Sequence, residues 1–240
     1  MPDKLHKELL ETVIQVRCLL EDFQDMGITE LSLPILPAEL PICALNERGP
    51  AISCRRETLE EIRADLGDCR RCPLCQKRTR IVFGSGHPQA GLVFVGEAPG
   101  REEDLQGEPF VGEAGRLLDG ILLAMGLLRQ EVYICNLIKC RPPGNRDPLA
   151  EETCACQPFL KRQIMAIKPR IIVTLGRFAA HTLLQSEVPI SQLRGKWLSY
   201  EEIPVMPTFH PAYLLRNPAS KREVWEDMKQ VLARLRDEGV

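Results

Sequence analysis

Apolar positions along the chain fall into two alternating periods. The continuous runs LVFV (92–95), VYICN (132–136), RIIVTL (170–175) and PVMPTF (204–209) read as strands. Helical spacing lies between them. EAGRLLDGILLAMG sets Leu117, Leu118, Ile121, Leu122 and Met125 on one side. A helix is expected from roughly Glu151 to Ile167, with Pro158 near its start or at a kink. A short helix follows Gly176 and ends about Leu184, and a closing helix runs from about Ser220 to Leu235. Upstream, a helix from near Glu57 to Gly67 precedes CRRCPLCQKRTR, the strand-like IVF (81–83) and the turn GSGHPQAG. A hairpin around Gly195 introduces the last strand. Strands alternating with helices predict an α/β fold with a parallel sheet covered on both faces. Right-handed crossovers would bring the loops holding Glu97 to Asp104, Asn136, Gly176 and His210 to one edge of that sheet.

The first 55 residues read differently. Residues 3–26 form a helical pattern through Leu5, Leu9, Val13, Val16, Leu20 and Phe23, stopped at Gly27. LSLPILPAELPICALNERGP, with four prolines and no sustained period, reads as a linker. The expected division is an N-terminal helix and Pro-rich linker over 1–55 and one catalytic-sized domain over 56–240. The extension is left to dock on the body or to recruit a protein partner.

Charge sharpens that division. The net charge is −2, but residues 1–50 carry four Lys/Arg against nine Asp/Glu, and the remainder 27 against 24. An acidic extension on a mildly basic body permits nucleic-acid binding without demanding it. No apolar run approaches the roughly 18 residues of a membrane span. The N-terminal stretch lacks the apolar core of a signal peptide. A cytoplasmic, membrane-free protein is the expectation. Ten cysteines are many for such a chain, since cytosolic thiols stay reduced.

Candidate chemistry concentrates in four places. Gly96 to Gly112, GEAPGREEDLQGEPFVG, is a strand-to-helix loop crowded with Glu102, Glu103 and Asp104, where open α/β sheets place their sites. Asn136 closes a strand, and His210 precedes Pro211 at the end of another. Cys69 and Cys72 form a CxxC pair extended by Cys75; Cys140, Cys154 and Cys156 come later. Two separated thiolate pairs suit a tetrahedral zinc or an iron–sulfur cluster by ligand type, and spacing does not choose between them. The isolated Cys18, Cys43, Cys54 and Cys135 read as inert buried thiols.

GEAPGREED with PFVG, then YICNLIKCRPPGNRDP, then TFHPAYLLRNP, in that order, resembles the family 4 uracil-DNA glycosylases. The likeness runs from about Leu66 to Leu235. It implies a three-layer α/β/α sandwich with a central four-stranded parallel sheet, an N-terminal helical extension outside it, and a 4Fe–4S cluster on Cys69, Cys72, Cys140 and Cys156. Cys75 and Cys154 are departures from that set. The implied activity is hydrolysis of the N-glycosidic bond of uracil in single- or double-stranded DNA by a monomer, leaving an abasic site. The alternative is a non-catalytic iron–sulfur protein that binds DNA or a polymerase on the same fold.

The likeness also assigns roles. Gly96, Ala98, Gly100, Phe110, Asn136 and His210 would bind the extruded base. Phe110 would supply a flat surface, Asn136 would read uracil N3–H and O4 with one amide, and a neutral His210 would donate to O2 as negative charge develops. Cytosine presents the opposite pattern to that amide. Ala98 stands where related families carry a water-positioning acid, which leaves Glu97 and Glu103 as the candidate carboxylates, Glu103 preferred. Gly100 stands where some relatives place a methyl-blocking aromatic. Leu214 would enter the vacated stack with Arg216 in support, while Leu215 packs inside. Arg70, Arg71, Lys77, Arg78 and Arg80 would grip phosphates, or form a solvated face.

Overall fold

The computed structural model describes residues 57–237 and, before them, residue 24 alone. The expected helix over 3–26 and its linker lie outside the described residues. In chain order the elements are α1 (Leu59–Leu66), β1 (Ser85–Gly86), β2 (Leu92–Gly96), α2 (Arg101–Gln106), α3 (Glu113–Ala124), β3 (Tyr133–Asn136) and α4 (Ala150–Ile167). There follow β4 (Ile171–Leu175), α5 (Arg177–Leu184), α6 (Ile190–Leu193), β5 (Leu198–Tyr200), β6 (Ile203–Thr208), α7 (Pro211–Arg216) and α8 (Lys221–Asp237).

One sheet organises them, in the order β1-β3-β2-β4-β6-β5. The four inner strands are mutually parallel, and both edge strands run antiparallel. The central parallel sheet is therefore present as the middle of a mixed six-stranded one. Every residue of β2 and β4 is buried, as continuous apolar runs covered on both faces should be. Alternation along each strand sorts the core into two layers. Val93, Val95, Tyr133 and Ile172 pack with residues of α1, α4 and α5. Leu92, Phe94, Ile134 and Val173 pack with residues of α3 and α8 on the other side.

Local chemistry explains several boundaries. Thr58 and Glu61 form a reciprocal capping box at the start of α1. Pro211 occupies the first turn of α7, where its missing N–H is not needed. Three sequence expectations are corrected. IVF is not a strand: the Val82 amide bonds the Lys139 carbonyl at 2.8 Å, and the edge pairing begins only at Ser85. The loops after β2 and β6 contain the short helices α2 and α7. The hairpin turns at Glu201 and Glu202, both at positive φ, and not at Gly195. Gly195 instead donates to the Pro207 carbonyl at 3.2 Å.

Register places the chemistry. Gly96 lies opposite Asn136, and Leu175 opposite Thr208, all at the carboxyl ends of parallel strands. The loops leaving those ends share one edge of the sheet.

Candidate active site

A cavity of about 410 Å³ opens at that edge. Glu97, Ala98, Gly100 and Glu103 line it from the loop after β2, Phe110 from the loop before α3, Asn136 from β3, and His210 and Arg216 from either end of α7. Of the expected base-contacting residues, only Gly96 does not line the cavity wall. Its role is steric: a Cβ there would lie 2.3 Å from Asn136 Oδ1 and 2.6 Å from the Phe110 ring. Glycine lets those two side chains close over the strand end.

Asn136 is 1% exposed, and its Oδ1 has no hydrogen-bond partner among the described residues. Buried polar atoms are nearly always satisfied, so an orphan acceptor beside a cavity marks a place where a ligand donor belongs. The Phe110 ring stacks on the His210 ring, with centroids 5.6 Å apart and planes 30° from parallel. His210 Nδ1 accepts the Ala212 amide at 3.1 Å. Burial, with Arg216 nearby, drives the imidazole down to about 4. The ring is therefore neutral at pH 7 with its proton on Nε2, the nitrogen free to donate.

The two candidate acids divide. Glu103 Oε1 accepts the amides of Val111 and Gly112, each at 2.9 Å. Its carboxylate thus clips the loop that carries Phe110. Glu97 makes no such clip. Burial raises its carboxyl to about 7, the Asp147 carboxylate adding to the rise and Arg177 opposing it. An acid poised near neutrality in a cleft is suited to holding or activating water.

A sequence model of the uracil DNA glycosylase superfamily matches residues 83–229. A type-4 uracil-DNA glycosylase of Archaeoglobus fulgidus is 45% identical over 73% of this chain and 92% of its own length. Those of Sulfurisphaera tokodaii and Thermotoga maritima are 46% and 44% identical, covering 84% and 98% of their own lengths. The chain belongs to the type-4 uracil-DNA glycosylase family.

Within that family's frame, the cysteines separate into two groups. Cys69, Cys72, Cys140 and Cys156 pack in or against one buried cluster beside α1 and α4. Two of the sulfurs meet an arginine N–H donor: Arg71 Nη1 at 3.6 Å for Cys69 and Arg78 Nη1 at 3.3 Å for Cys140. Burial pushes the Cys140 thiol up to about 12, so it needs a compensating cation to ionise. Cys154 is exposed, Cys135 is sealed inside β3, and Cys75 is half-buried. Among the described residues, no three His, Cys, Asp or Glu side chains are grouped to hold a single metal ion. The four-sulfur donor set, gathered at one core cluster with arginine N–H groups on Cys69 and Cys140, fits a larger thiolate-bound group.

One expectation is reversed. Leu214 is 1% exposed and belongs to the core under α3 and α8, while Leu215 is 43% exposed. The intended wedge is interior and its neighbour is free, because α7 turns the opposite leucine outward. The basic run, by contrast, keeps the solvated face that was one of its two expected forms: Arg70, Arg71, Lys77 and Arg80 are exposed and only Arg78 is half-buried, although several also make contacts within the chain. Arg78 joins Asp68, the Cys69 carbonyl and Cys140; Arg71 joins Asp65 and lies over the Phe159 ring; Arg70 pairs with Asp68; Arg80 reaches the Gln106 carbonyl.

Arg129 is a site residue the sequence reading missed. Phe110 sits at φ +52, a conformation costly for a bulky residue. Arg129 holds it there by donating to the Phe110 carbonyl at 3.1 Å and to the Pro109 carbonyl, with Asp119 pairing behind at 2.8 Å. Asp104 was read only as one of three loop acids. It is buried and accepts the Thr79 amide at 2.9 Å, anchoring the same loop from the other side.

Proposed function

We propose that this chain hydrolyses the bond between uracil and deoxyribose in DNA, single- or double-stranded, releasing the base and leaving an abasic site. The observation that carries this reading is the orphan Asn136 Oδ1 in a cavity walled by Phe110 and a neutral His210. The Asn136 amide would accept from uracil N3–H and donate to O4, a pattern that disfavours cytosine. Phe110 would stack on the extruded ring. As the C1′–N1 bond breaks, the electron pair moves onto the departing base. His210 Nε2–H then donates to the developing oxyanion at O2. Glu97, ionised above about pH 7, would hold the water that adds to C1′ and take up its proton. Glu103 is a loop clip in this scheme. Leu215, with Arg216 beside it, is the wedge that fills the vacated stack.

Cys69, Cys72, Cys140 and Cys156 would hold a 4Fe–4S cluster, which when bound supplies covalent cross-links between the loop after α1, the loop after β3 and α4. No step of base release passes through it. The chain would act as a cytoplasmic monomer, where reduced thiols suit such a cluster. Among the described residues no helix is long and apolar enough to cross a membrane. Residues 1–55, whose first 50 carry four Lys/Arg against nine Asp/Glu, would suit a protein partner more than DNA. A non-catalytic role has no observation in its favour. The test is a uracil-containing oligonucleotide incubated with iron-loaded protein and then treated with alkali. Strand scission at the uracil is expected; an intact strand would overturn the proposal.

A further inference from the structure

Lys139 has no exposed surface, yet it is three residues after Asn136 and one before Cys140. Its Nζ donates to the Asn136 carbonyl at 2.7 Å and to Gln163 Oε1 at 2.6 Å. Gln163, on α4, is equally buried and is itself fixed. Its amide nitrogen donates to the Phe83 carbonyl at 3.0 Å and the Tyr133 hydroxyl at 3.1 Å. A buried ammonium requires nearby negative charge or dipoles. No carboxylate pairs with Lys139 among the described residues; its Nζ meets the Asn136 carbonyl and the Gln163 amide oxygen. One residue therefore touches the base-reading asparagine and, through Gln163, the helix that carries Cys156.

The Asn136 carbonyl lies at the last residue of β3, where the ladder ends. The following amides are already held, Leu137 to the Gly96 carbonyl and Ile138 to the Glu97 carbonyl, each at 2.9 Å. Lys139 supplies the donor that fixes the remaining freedom of the 136–137 peptide. We propose that Lys139 is a positioning residue for base excision, setting the Asn136 amide against the base edge. This rests on the glycosylase reading above.

The test compares Lys139→Met, similar in length but without the ammonium, with wild type, both iron-loaded. Single-turnover uracil excision should fall by about tenfold or more, since misplacement of a reading group acts on the chemical step. The DNA concentration for half-saturation should stay within twofold. A rate within twofold of wild type, or a half-saturation shifted by more than twofold, overturns the proposal, while uracil release by wild type leaves the glycosylase reading intact. Should Lys139→Met fail to fold, Gln163→Leu keeps the lysine and removes its second anchor. An excision rate about threefold lower is then expected, and an unchanged one overturns the inference.

Discussion

Glu97 and His210 face one cavity with their proton affinities pushed in opposite directions, up to about 7 and down to about 4. The excision rate should therefore rise about tenfold per pH unit below 7, as Glu97 ionises, and level off above it. His210 is already neutral over that whole range. In Glu97→Gln that limb should vanish, leaving a low, flat profile; a limb that persists would assign it to another group. The folded carboxyl lies above its unfolded value of 4.5, so its contribution to stability is intact below that value and is lost as pH rises through 7. Glu97→Gln should accordingly raise the melting temperature at pH 8 and leave it unchanged at pH 4. Leu214 and Leu215 give a second contrast. Leu214→Ala should cost about 2–5 kcal/mol of stability, as core truncations do. Leu215→Ala should leave the melting point unchanged and slow excision more on double-stranded than on single-stranded DNA, a difference a paired rate assay would read. Sequence motifs placed both leucines on the segment from His210 to Arg216, whose ends line the cavity, but could not orient them. A six-residue helix shows too little periodicity to fix which face is buried.

At the scale of elements, the loop between α2 and α3 is held in a costly shape by partners distant in sequence. Phe110 keeps its positive φ because Arg129 grips two carbonyls, Glu103 takes two amides, and Gly115 leaves room. A Cβ on Gly115 would lie 2.0 Å from the Phe110 carbonyl oxygen. Arg129→Met should weaken DNA processing by about tenfold through loss of a preorganised Phe110, with a melting point only slightly lower. An unchanged excision rate would show that the loop holds itself. The strands that end at the site were legible because continuous apolar runs have few other readings. The clamp was not, since Arg129 bonds backbone carbonyls and leaves no trace in side-chain pattern. The hairpin turn at Glu201–Glu202 was hidden for a related reason: two glutamates at positive φ lack the Asn or Gly that marks such turns.

At the scale of the molecule, parallel strands deliver Asn136, the Glu97 loop and the His210 loop to one edge, and Cys69, Cys72, Cys140 and Cys156, from two loops and α4, pack in or against one core cluster. Cys140→Ala should remove visible cluster absorbance and lower the melting temperature by many degrees; retention of both fold and full activity would deny the cysteines a structural role. The sheet, the motif loops and the four cysteines were readable along the chain, because each is a local pattern. The mixed edges of the sheet and the buried Lys139–Gln163 link were not, because they depend on which elements become neighbours. The account stands most directly on one measurement, the single-turnover rate on a uracil oligonucleotide for wild type and Asn136→Ala. Uracil release by wild type and a loss of about 10²-fold or more in the variant are expected, the scale of removing a positioned donor–acceptor group. Equal rates in the two proteins, or no release by either, would contradict it.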